Sequence, residues 1–157
     1  MSDYIKYIRS KVGQDSILLP FAAGILEDQY GRILLQKRAD TGNWGVPGGC
    51  MELGESSFDT AIREFFEETG IQVEALKLLN VYTNFETLFP NGDRAQTVGI
   101  VYKLRAIAPY GINGVTNEET LELAFFSEER IKDILLVNEQ HQHIIEEYFS
   151  GNYKLGH

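Results

Sequence analysis

At 157 residues, with 43% hydrophobic and 24% charged side chains, the chain is long enough for one core of ordinary size and too short for two. Its formal net charge of −9 at pH 7 argues against binding nucleic acid through a broad basic surface, and an anionic substrate would need cations and local Lys or Arg to approach. One cysteine, Cys50, excludes an internal disulfide, and no signal peptide or membrane-length apolar run is present, so the sequence reads as a reduced, cytoplasmic protein.

The elements follow without a repeat, a low-complexity stretch or a Pro/Ser-rich linker. Residues 3–12 read as a short helix within an N-terminal extension over residues 1–15. Residues 17–26 read as a strand, Asp28-Gln29-Tyr30-Gly31 as a turn and residues 32–38 as its hairpin partner, with Ile33 and Leu35 alternating against Leu34 and Gln36. A loop through Asp40-Thr41-Gly42-Asn43 leads to Trp44-Gly45-Val46-Pro47-Gly48-Gly49. The next segment is helical: Phe58, Ala61, Ile62 and Phe65 form an apolar stripe, Ser56 or Ser57 can cap its start, and Gly70 can end it in the left-handed conformation. Residues 72–85 suggest one or two strands. Pro90-Asn91-Gly92-Asp93 is a turn signal before a long strand over residues 95–106. Residues 121–126 read as a further strand. Helices follow from about Glu128 and Asn138, the last with Ile144, Ile145, Tyr148 and Phe149 on its apolar side. Strands, helix, strands and helices in this order give an α/β or α+β domain.

The helix after the glycines carries the chemistry. Glu64, Glu67 and Glu68 stand at i, i+3 and i+4 and project within about one turn of one another. Such a cluster is either a solvated acidic face or a set of repelling carboxylates that a hard divalent cation relieves, and oxygen-only ligands select Mg²⁺ or Mn²⁺.

Residues 49–71 match every fixed position of the pattern GX5EX7REUXEEXGU, with U a bulky apolar residue. On that box, and on the Trp44–Gly49 run before it, the chain resembles the Nudix hydrolases, from about Ser16 to the C-terminus. The resemblance implies an αβα sandwich with a mixed sheet, and a Mg²⁺- or Mn²⁺-dependent, MutT-like hydrolase of the diphosphate in a nucleoside diphosphate linked to X: an NTP, ADP-ribose, a nucleotide sugar or a dinucleoside polyphosphate. It implies Glu64, Glu67 and Glu68 as metal ligands with the Gly49 carbonyl as a further one. Arg63 then pairs with Glu55 or Glu67, and Glu55 serves as a structural anchor.

The general base varies in this family. Glu119 is the candidate for base or additional ligand, with Glu118 and Glu122 competing and Glu52 at the rim. Arg38, rather than Lys37, is the candidate for a phosphate contact because of its bidentate fork. Trp44 and Tyr82 are candidates for lining a base pocket, as is Phe85, although core packing predicts the same residues. His141 and His143, at i, i+2, do not face together, which speaks against a metal pair. Cys50 reads as a passive filler. The Pro or Tyr that marks ADP-ribose or dinucleoside polyphosphate subgroups is absent at Thr87 and Leu88, and Pro90 comes a few residues late, so the substrate stays open. A non-catalytic nucleotide sensor and an isoprenoid diphosphate isomerase are the alternatives; the box is not degraded, and Cys50 alone does not supply an isomerase's Cys and Glu set. A homodimer is expected from the resemblance alone, and a light-scattering mass near 17.8 kDa would refute it.

Overall fold

The computed structural model describes residues 3–157. Helix α1 (Asp3–Val12) precedes strands β1 (Ile17–Leu26), β2 (Ile33–Arg38), β3 (Trp44–Gly45) and β4 (Gly48–Cys50). Helix α2 (Ser57–Thr69) is followed by β5 (Val73–Leu88), β6 (Arg94–Ala106), β7 (Thr120–Phe126), and helices α3 (Glu128–Ile131) and α4 (Glu139–Ser150). A four-stranded sheet has the order β4-β1-β6-β5 and a three-stranded sheet the order β3-β2-β7. The first is mixed, because β1 runs parallel to β6 while β4 and β5 pair antiparallel.

Alternation along these strands builds two cores. Phe21, Ala23, Ile25, Ile33, Leu35 and Val101 join Ile144 and Ile145 of α4. Leu26, Leu34, Leu104 and Leu123 join Phe65 of α2. Sheet between two helical layers is the αβα sandwich that the sequence implied. Among the described residues no helix is long and apolar enough to cross a membrane.

Two expectations are corrected. Residues 32–38 are not the hairpin partner of β1: the two meet at one bridge, Glu27 to Ile33, and β2 instead pairs antiparallel with β3 and β7. Its first four residues, Ile33 to Gln36, are all buried, the pattern of a strand covered on both faces rather than of a half-exposed hairpin. Phe58 does not join the buried stripe of α2; it is 45% exposed and meets Tyr102 edge to face. Residues 72–85 belong to one long strand, β5, whose register with β6 shifts at three places, and these irregularities bend a strand too long to stay flat.

Candidate active site

Helix α2 is held at both ends by its own sequence. The Ser56 hydroxyl accepts the Asp59 N–H at its start, and Gly70, at φ 74°, closes its end by donating its N–H to the Phe66 carbonyl. Between these caps Ala61 and Phe65 are fully buried, which fixes the rotation of the helix and so the direction of its acids.

That rotation separates the three glutamates. Glu64 and Glu68 are buried, and each offers a carboxylate oxygen within 4.8 Å of the others in a group completed by Glu119, which is exposed. Glu67 does not belong to this group. At about 100° per residue, i+4 returns close to the starting direction whereas i+3 falls short on the other side; Glu67 accordingly turns outward, 3.3 Å from Arg63 Nη1. The compact acidic group thus joins two of the three box glutamates to Glu119, the candidate for a base or additional ligand. Glu67 still lines the same cavity.

Each buried acid has a fixed partner. The Gly48 N–H donates to Glu68 Oε1 at 2.8 Å, and Arg63 Nη1 donates to Glu64 Oε1 at 2.8 Å. A Cβ on Gly49 would lie 2.3 Å from the Glu64 carboxyl carbon, so a side chain there would displace that carboxylate. Burial, reinforced by the neighbouring Glu64 and Glu119 charges, pushes the Glu68 carboxyl up to about 8. Burial also raises Glu64, against the pull of Arg63. Burial disfavours the charged form of both acids first, and the neighbouring carboxylates add to it, a conflict that a cation would relieve.

Arg63 is the hub. Its Nε and Nη2 grip Glu55 at 2.6 and 2.8 Å, and this fork holds the Glu55 carboxyl down at about 2. Glu55 Oε1 also accepts the Glu52 N–H and the Thr60 hydroxyl, so the loop between β4 and α2 is knotted around one carboxylate. On the facing side, Thr120 Oγ1 and Asn117 Nδ2 donate to the Glu68 carbonyl, and Asn117 Oδ1 accepts the Glu119 N–H. These bonds tie the approach to β7, and with it Glu119, to the end of α2.

The acids open into a cavity of about 680 Å³, which Arg38, Gly49, Glu52, Glu118 and Glu119 also line; this is the ordinary size of a small-molecule site. Arg38 holds Asp40 with both ends of its fork, at 3.0 and 2.9 Å. Lys37 and Glu122 are not among the described residues lining this cavity. Neither are Trp44 and Tyr82, the candidates for a base pocket. Trp44 meets Phe126 edge to face, and its backbone is clamped to the segment before α4 through Leu135 and Val137. Tyr82 is 2% exposed within the core. Their aromatic mass is spent on packing. Phe85 packs against the same core and faces His143. His141 is buried and accepts the Val46 N–H at Nδ1. Cys50 lines the cavity, but burial and the Glu64 charge push its thiol up to about 12, so it stays protonated at neutral pH.

The NUDIX domain family model matches residues 19–148. The chain belongs to the Nudix hydrolase family. A MutT-like protein of Streptomyces ambofaciens is 33% identical over 111 residues, 71% of this Nudix chain and 65% of that protein. The chain thus spans just under two thirds of that relative's length. An ADP-ribose pyrophosphatase of Methanocaldococcus jannaschii is 31% identical over 152 residues, 94% of this chain and 78% of that protein. The fold is shared with the crystal structure of a MutT protein from Methanosarcina mazei, at TM-score 0.70 and 22% identity over 89% of this chain and 99% of that one.

Sequence reasoning on this Nudix protein missed the far walls of the site. Asp3, Ile5 and Arg9 of α1, Leu88 and Phe89 at the end of β5, and Val137 and Asn138 before α4 all line the cavity. Their meeting gave no signal, because convergence of distant segments is not written in local pattern.

Proposed function

We propose that this protein is a divalent-metal-dependent pyrophosphohydrolase that cleaves the diphosphate of a nucleoside diphosphate linked to X. The observation that carries the reading is the group Glu64, Glu68 and Glu119, three carboxylates within 4.8 Å on one wall of a cavity that also presents Arg38. The donor set fits Mg²⁺ or Mn²⁺: all ligand atoms are hard oxygens, and the upward shifts of Glu64 and Glu68, caused by burial and added to by neighbouring carboxylates, are of the kind a cation would offset.

Glu64, Glu68 and Glu119 would hold the ion, with the Gly49 carbonyl and Glu67 as further ligands when substrate is present. A bound ion supplies neutralisation of the diphosphate charge and acidification of a nearby water. The chain's own residues do the rest. Arg63 keeps Glu64 and Glu55 in place, and the Gly48 N–H fixes the Glu68 oxygen. Arg38 meets a phosphate once Asp40 yields part of its fork. Glu119, exposed at the open edge, takes a proton at its carboxylate from the attacking water as the oxygen joins phosphorus and the bridging oxygen leaves. The products are two phosphomonoesters, or a nucleotide and pyrophosphate when X is itself a single phosphate. A cytosolic location belongs to this reading.

The test is product release from NTPs, ADP-ribose, nucleotide sugars and dinucleoside polyphosphates with Mg²⁺, with Mn²⁺ and with chelator. Metal-dependent cleavage that disappears in Glu64→Gln and Glu68→Gln, with the fold retained by circular dichroism, is the expected result. Undiminished turnover in both variants would sink the reading.

A further inference from the structure

No residue of α1 is fully buried, while Tyr4, Ile5, Ile8 and Val12 are half-buried. Polar clasps fasten its two ends. At its start Glu52 accepts the Asp3 N–H at Oε1 and the Tyr4 N–H at Oε2, each at 3.1 Å, satisfying donors that a helix start leaves open. Glu52 itself donates its N–H to Glu55, so this clasp is joined to the Arg63–Glu55 knot beside the acids. At the other end Arg9 donates to the Gly13 and Asp15 carbonyls at 3.1 and 2.7 Å and to the Arg94 carbonyl at 2.6 Å. Its Nε lies 3.5 Å from Asp93 Oδ2, and Gln14 Nε2 donates to the Asn91 carbonyl at 2.8 Å. The helix therefore spans from the loop beside the catalytic acids to the β5–β6 turn.

Both anchorages border the same cavity, and so does the helix between them through Ile5. Ile5, Leu19, Phe21, Leu88 and Phe89 give this cavity an apolar lining that the acids and Arg38 do not need. A phosphate or an open sugar against such side chains would lose hydrogen bonds to water without replacement, whereas a planar base presents faces that gain from burial. Arg9, with its donors committed to carbonyls and Asp93, acts on the helix rather than on a phosphate.

The geometry points to α1 as a wall of the substrate site: a helix fastened by Glu52 and Arg9 that sets Ile5 with Leu88 and Phe89 to seat the nucleobase. The inference rests on the hydrolase reading for its substrate. Arg9 is in these terms a positioning residue and Ile5 a determinant of fit.

Two measurements on the full chain test it. With the substrate cleaved fastest under Mg²⁺, Ile5→Ser and Arg9→Gln are each expected to raise KM at least fivefold with kcat within twofold, the signature of lost uniform binding. Tyr7→Ser, on a residue of the same helix that is 56% exposed, leaves both unchanged. In hydrogen exchange, AMP with Mg²⁺ is expected to slow the α1 amides at least fivefold in the wild type and not in Arg9→Gln. A wild type that cleaves substrate while both variants match it in KM overturns the wall and leaves the hydrolase standing. A wild type that cleaves nothing, yet shows α1 protected by AMP, upholds the wall as a nucleotide-binding element and overturns the hydrolase. Unchanged exchange of α1 with AMP overturns the wall in either case.

Discussion

Two adjacent glycines of β4 separate what serves the fold from what serves the chemistry. A Cβ on Gly48 would fall 2.4 Å from the Ala22 carbonyl oxygen and 2.6 Å from the Ala23 Cβ, backbone and side chain of the paired strand β1 that cannot swing aside. A Cβ on Gly49 would meet the tip of Glu64, with Oε2 at 2.5 Å, and a carboxylate tip can move. Gly48→Ala is therefore expected to destabilise by about 1–3 kcal/mol through overpacking. Gly49→Ala is expected to keep nearly the wild-type melting temperature while lowering kcat/KM by about 10- to 100-fold, the usual scale when a ligand's support is disturbed. Thermal melts and kinetics on the pair check this, and a Gly49→Ala variant of normal activity would show that Glu64 need not stand where it does. Gly49 was legible in the sequence as part of the box and Gly48 as part of the run before it. Their division of labour was not, because the partner of Gly48 lies on β1, a contact that no local pattern records.

At the scale of the element, α2 illustrates what can be read in advance. Its caps, its register and its acid spacing all follow from residues within the segment, and Ser56 and Gly70 act as the sequence indicated. Phe58 deviates because its neighbour Tyr102 lies on β6, outside any window that a helical period describes. Strand β2 deviates for the same reason. The run Ile33-Leu34-Leu35 identifies a strand, and only its burial on both faces reveals that β7, far along the chain, is its partner. The cap has a measurable worth. Ser56→Ala removes the acceptor of the Asp59 N–H at 3.0 Å, and such a loss costs about 1 kcal/mol, or about 2–4 °C in Tm for a chain of this size. Activity at 25 °C should hold, because Ala61 and Phe65 keep the rotation of the helix. A fall in kcat in Ser56→Ala, with Tm unchanged, would mean that the cap positions the acids rather than the helix.

The whole molecule responds to pH through groups that its packing removes from water, and two of them pull in opposite directions. Glu68, held at about 8, keeps a proton that a glutamate at its ordinary value of 4.5 has released, so between these values its burial makes the apo protein less stable as pH rises. His141 does the reverse. Stacked beside Phe21 and buried, with Arg38 adding a repulsive charge, it is held at about 3 and stays neutral to accept the Val46 N–H at 3.0 Å. An unfolded histidine gains its proton near 6.5. From about pH 6.5 downward the unfolded state thus binds one more proton at this site, and folded stability falls by up to about 1.4 kcal/mol per pH unit. His141→Gln isolates this contribution, since the amide oxygen can accept the same N–H and does not titrate, while Glu68 is common to both proteins and cancels. Urea midpoints at pH 7, 6 and 5 should therefore converge: the wild type, more stable at pH 7, loses its advantage over His141→Gln as the pH drops. A difference that stays flat across the three pH values would show that His141 gains its proton in the folded protein as readily as in the unfolded one, and that the interface between β3, β4 and α4 opens to water around it.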